Sequence, residues 1–89
     1  MFRLWAKMMK NNHMIKDMVV ENNLYDMSRT KKVFAAIEEI SREFDLAKPL
    51  WLKASVEEFR RHDKVRFRQD NFIEAIDFDY LEVQVIEED

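Results

Sequence analysis

Phe2-Arg3-Leu4-Trp5-Ala6-Lys7-Met8-Met9, then Asn11-Asn12, then His13-Met14-Ile15-Lys16-Asp17-Met18-Val19-Val20-Glu21, is the stretch that decides the fold. Phe2, Leu4, Ala6 and Met8 fall on one face and Arg3 and Lys7 on the other, the period of a half-buried strand. Asn-Asn is a pair that tolerates positive φ and so can form a tight type I′ turn. The β-branched Ile15, Val19 and Val20 support a returning strand, although Lys16-Asp17 blurs the alternation. The expectation is an N-terminal β-hairpin with strands over 2–9 and 13–21.

Outward from the hairpin, residues 22–27 form a polar connection. Val33, Ile37, Ile40 and Phe44 recur at spacings of four, three and four, one stripe of a helix. Phe34 and Ala36 widen that stripe, and Glu38 with Arg42 forms a favourable i,i+4 pair. Asp26 or Ser28 can cap the start. Pro49 disfavours helix at Lys48. The spacing therefore predicts a long helix over about 28–45. Pro49-Leu50-Trp51-Leu52 reads as a short buried extended segment. Ser55-Val56-Glu57-Glu58 reads as a capping box opening a short helix, with Val56 and Phe59 inward. Residues 64–72 show no regular pattern. In the final strand, Phe78 to Ile86, Leu81, Val83 and Val85 alternate with Tyr80, Glu82 and Gln84.

These pieces give one α+β domain over residues 1–89: a small antiparallel sheet made of the hairpin and the C-terminal strand, one long helix packed on it, and one short capped helix. Residues 1–20 carry four basic side chains against Asp17, and residues 69–89 carry eight acids with no Lys or Arg. Opposite charges on neighbouring strands stabilise each other, so the acidic last strand is expected antiparallel beside the basic hairpin.

Composition narrows function mainly by exclusion. The 89 residues include 47% hydrophobic side chains and 11 aromatics, enough for one core. There is no cysteine, so disulfides, thiol catalysis and Cys-ligated zinc are excluded. There is no glycine. P-loops, G-x-G-x-x-G turns and G-x-S-x-G elbows all need that residue. The turns are left to Asn11-Asn12, Asn22-Asn23 and Asp70-Asn71. The N-terminal residues lack the apolar core of a signal peptide, and no run is long enough to span a membrane. The chain reads as cytoplasmic, with no membrane association and no cofactor.

Four features could carry function. The first is Arg60-Arg61-His62-Asp63-Lys64-Val65-Arg66-Phe67-Arg68. Arg60, Arg61, Lys64, Arg66 and Arg68 could clasp phosphates while Phe67 stacks on a base. Against that, the acidic segment beginning at Asp70 can neutralise these charges, and the chain as a whole carries a net charge of −3. The second feature is the two histidines, His13 and His62. They lack a nucleophile or a ligand set at recognisable spacing, which disfavours an enzyme. The third is the acidic end: Asp77, Asp79, Glu82, Glu87, Glu88 and Asp89. It has no calcium-loop spacing and reads as a solvating edge.

The fourth is the back of the hairpin. If Phe2, Leu4, Ala6 and Met8 face the helix, Trp5 and Met9 lie on the opposite sheet face. That face then needs a cover, from residues 50–76 or from a second chain. The leading expectation is a non-enzymatic interaction or structural protein that self-associates as a homodimer through Trp5 and Met9. A nucleic-acid-associated regulator using residues 60–68 is the alternative.

Phe44-Asp45-Leu46, Lys48-Pro49-Leu50-Trp51-Leu52, Arg66-Phe67, Asp70-Asn71-Phe72-Ile73 and Phe78-Asp79-Tyr80-Leu81-Glu82 together resemble a family of short bacterial proteins without an assigned function. The resemblance spans nearly the whole chain. It implies a small, complete bacterial protein and transfers no functional residue.

Overall fold

In the computed structural model, which describes residues 1–88, β1 (Phe2–Lys10) turns through Asn11 and Asn12 into β2 (His13–Asn22). Both turn residues have positive φ, 53° and 65°. That conformation matches the right-handed twist of the flanking strands, as expected of an Asn-Asn hairpin. A register shift between Met8 and Met9 marks a bulge near the hairpin tip. Then follow α1 (Arg29–Glu43), α2 (Lys53–His62), β3 (Lys64–Phe67), a 3-10 turn at Gln69–Asn71, and β4 (Tyr80–Glu87).

The sheet has four strands in the order β2-β1-β4-β3, antiparallel throughout. The acidic C-terminal strand does lie beside the basic hairpin strand, with Lys7 opposite Glu82 and Arg3 opposite Glu87. Asp89, the last of the acidic residues, lies outside the described residues. Phe2, Leu4, Ala6 and Met8 of β1, Val65 and Phe67 of β3, and Leu81 and Val83 of β4 form one buried floor. Val33, Ala36, Ile37 and Ile40 of α1 and Phe59 of α2 close over it. Both helices therefore sit on one side of the sheet, which leaves its other side without a helical layer.

The helix ends show how a chain without glycine turns. Ser28 caps α1, its Oγ accepting from the Lys31 N–H at 3.3 Å. Asp45 (φ 55°) ends α1, and the Leu46 N–H reaches back to the Ser41 carbonyl at 2.8 Å. Asp63 (φ 54°) ends α2, with its N–H on the Phe59 carbonyl at 2.9 Å. Among the described residues, the four with positive φ are all Asn or Asp, the side chains that best tolerate this region after glycine. The turn pairs Asn22-Asn23 and Asp70-Asn71 do without positive φ.

Several local expectations are corrected. Leu50, Leu52 and Val56 are exposed rather than buried, because only Trp51 and Phe59 of that stretch pack against the core. Ser55 and Glu58 do not form a capping box. α2 begins earlier, at Lys53, and its N-cap Leu52 supplies no side-chain bond. Both residues are committed to tertiary bonds instead. The buried Ser55 Oγ accepts from Asn71 Nδ2 at 2.8 Å, and Glu58 Oε2 accepts from the Arg66 N–H at 3.0 Å. Residues 64–67 are not irregular but form β3, paired from Lys64↔Gln84 to Phe67↔Leu81.

Candidate interaction surfaces

Strand alternation sends Trp5 and Met9 to the side of β1 away from the helices, where both are half-buried. Within residues 50–76, Arg66 reaches that side to pair with Glu82. Trp51, Phe59 and Phe67 cluster on the helical side, with Trp51 ring centroids 5.7 Å from Phe59 and 5.0 Å from Phe67. The open face is not the bare apolar surface that Trp5 suggested. Trp5 Nε1 donates to Asp17 Oδ2 at 2.9 Å, and Lys7 Nζ lies 4.2 Å from the Trp5 ring centroid. The indole is held between a carboxylate and an ammonium, so its apolar area is roofed by neighbours of its own chain.

Glu82 is the hub of this face. Lys7 Nζ approaches it at 2.6 Å and Arg66 Nε at 2.9 Å. The Arg66 guanidinium in turn lies 4.5 Å from the Tyr80 ring centroid. Asp17, Trp5, Lys7, Glu82, Arg66 and Tyr80 thus form a continuous polar and aromatic band across all four strands. Glu82 is only 5% exposed. Burial alone pushes its carboxyl up, but the hydrogen bonds and charges of Lys7 and Arg66 outweigh that and hold it below the ordinary glutamate value. The bond to Glu82 correspondingly raises Arg66. A second set of ion pairs, Arg3 with Glu21 at 2.9 Å and with Glu87 at 3.2 Å, flanks the band.

The structure divides the basic segment rather than gathering it into one cleft. Arg60 and Arg61 are exposed on α2, and Arg68 is exposed beyond β3. Lys64 is half-buried, and Arg66 is paired with Glu82 on the open face. Phe67, the ring assigned to base stacking, is 0% exposed and packed edge-on against Trp51. Strand alternation forces this: with Lys64 and Arg66 on one side of β3, Val65 and Phe67 must enter the core. His13 and His62 are both exposed. Among the described residues, no group of three or more His, Asp or Glu side chains is placed to hold a metal ion. Nor is any helix of these residues long and apolar enough to cross a membrane.

The two sheet edges were not legible in the sequence. β3 has only four residues, and Glu58 occupies its Arg66 N–H. β2 has ten residues at the opposite edge, with exposed Met14, Ile15 and Val19. Among the described residues no further strand pairs with its outer side.

No family model, curated protein or solved structure matches the chain. What the geometry defines is therefore a structural class, a two-layer α+β domain with an open, ion-paired sheet face and one long free edge.

Proposed function

We propose that this protein is a non-enzymatic interaction or structural protein whose partner is a second copy of itself, joined through β2. The observation that carries the reading is the ten-residue edge strand whose outer side, among the described residues, pairs with no further strand. A free edge offers a row of backbone donors and acceptors, and adding a strand is the direct way to satisfy them.

The sequence of β2 favours one register. In an antiparallel pair of identical strands, centring on Asp17 sets Asp17 against its own copy. Centring on Val19 sets Asp17 against Glu21. Both oppose like charges, which destabilises a cross-strand pair. Centring on Met18 sets Asp17 against Val19, Lys16 against Val20 and Glu21 against Ile15. Among the longer registers it alone opposes no like charges. It also extends the open face across the interface, because Trp5 pairs with Val19 and is bonded to Asp17. Trp5 and Met9 then support the interface from the neighbouring strand, in place of forming it directly.

A nucleic-acid-associated role is the weaker reading. With Phe67 in the core and Arg66 committed to Glu82, it rests on Arg60, Arg61 and Arg68 by charge alone. Sedimentation velocity of the full chain separates the two. Self-association gives a mass that rises from monomer toward dimer over micromolar concentrations. A monomer throughout that range contradicts it, and retention on a polynucleotide column in low salt would favour the alternative.

A further inference from the structure

On the helical side of the sheet, away from the open face and β2, α1 and α2 part to leave a cavity of about 270 Å³. Trp51 lies between its two walls. Phe34 of α1 stands 6.2 Å from Trp51 between ring centroids, and Phe59 of α2 stands 5.7 Å away. Phe34 and Val56 line the cavity, yet they remain 52% and 41% exposed. Two of the domain's exposed apolar side chains thus border one concavity.

Two arginines line the rim of the cavity. Arg29, Thr30 and Arg60 are its polar lining, and no carboxylate belongs to that lining. Arg29 is already committed to Asp63 at 2.7 Å and Glu88 at 2.8 Å, and it lies over the Phe59 ring. Arg60 differs. Among the described residues its side chain has neither a hydrogen-bond nor an ion-pair partner. Arg29 and Thr30 also open α1, whose first turn contains no acidic residue. The positive end of the α1 dipole therefore faces the same rim, with the Ser28 hydroxyl as its side-chain cap and with Asp63 and Glu88 held on Arg29 beside it.

We propose that this cavity binds a small carboxylate with an aromatic or branched aliphatic body. The ring enters between Phe34, Trp51, Val56 and Phe59, and the carboxylate meets Arg60 beside the first turn of α1. Size sets the class. The cavity lies just below the roughly 300–1,000 Å³ of pockets that hold drug-sized ligands, so one ring or one branched chain fills it. Charge sets the sign, since an apolar cation would meet Arg60 and the helix end unfavourably.

The test uses the full-length chain with 4-phenylbutyrate as the acid and 4-phenylbutanol as its neutral counterpart. Nitrogen–proton NMR shifts locate binding, and the Trp51 indole N–H serves as the direct reporter. Phenylbutyrate is expected to give saturable shifts confined to residues 29–34 and 51–60. Phenylbutanol is expected to bind about fivefold more weakly, the size of one exposed ion pair. Arg60→Gln should bring the acid down to the alcohol and leave the alcohol unchanged, while Arg61→Gln should change neither. Arg60 is exposed, so the variant's spectrum should otherwise match the wild type. Absent or unsaturable shifts, shifts mapping elsewhere, equal affinity for acid and alcohol, or indifference to Arg60→Gln would each overturn the proposal. None of these outcomes depends on whether the chain self-associates.

Discussion

The β3 side of the sheet and the β2 side solve the same problem in opposite ways. Both are edges of one antiparallel sheet. At β3 the chain closes its own edge. Glu58 takes the Arg66 N–H, and Val65 and Phe67 vanish into the core. Asn71 ties the segment down through Nδ2 bonds to the Leu50 carbonyl at 2.9 Å and to Ser55 Oγ at 2.8 Å. Its Oδ1 also accepts from the Arg68 N–H at 3.0 Å. At β2 the same chain leaves its longest strand half wet. Only Val20 is buried there, and Met18 packs partly against the core. The contrast shows where burial, and with it folding free energy, is concentrated and where the strand stays exposed.

Truncation at the two edges should differ sharply. Phe67→Ala removes a fully buried ring from the Trp51 cluster and should cost about 3–5 kcal/mol by urea unfolding. Val19→Ala, at 46% exposure on β2, should cost less than about 1 kcal/mol in the monomer. Similar losses at both sites would erase the comparison.

Asn71→Ala comes next. It strands the Leu50 carbonyl and the buried Ser55 hydroxyl and should cost about 2–3 kcal/mol, with faster hydrogen exchange at the start of α2. Glu82→Gln follows, at about 2 kcal/mol. Glu82 is buried, but Arg66 is 41% exposed, so part of that pair is screened by solvent.

The same residue sets an acid dependence. Glu82 titrates lower in the fold than in the unfolded chain, so its contribution is complete above the ordinary glutamate value of 4.5 and is lost as pH falls below that. Wild-type Tm should drop more steeply than that of Glu82→Gln between roughly pH 5 and 3. Parallel curves would mean that the open-face band does not stabilise the sheet.

Much of this architecture was readable from particular residues. Asn11-Asn12 announced the hairpin, and the stripe Val33, Ile37, Ile40, Phe44 announced α1. The charge asymmetry between hairpin and tail announced the β1–β4 pairing. What escaped reading did so for physical reasons. β3 is so short that Lys64 and Arg66 look like a charge cluster, when they are the outer row of a strand. Ser55 and Glu58 have the spacing of a capping box, but their bonds go to Asn71 and Arg66, which are distant in sequence. Trp5 did point to the open face. Its roofing by Asp17 and Lys7 depends on strand register, which composition does not reveal. The free edge at β2 likewise follows from strand order alone.

The Met18-centred register makes the most direct measurement a charge swap at Val19, which it places opposite the partner's Asp17. Sedimentation equilibrium of wild type, Val19→Lys and Val19→Asp at matched concentrations reads it. Each swap acts twice per dimer at roughly 0.2–1 kcal/mol per cross-strand pair. Val19→Lys should therefore tighten the dimer by about two- to thirtyfold, and Val19→Asp should loosen it by a similar factor. If both variants weaken association, or neither changes it, the two copies do not meet through β2 in this register.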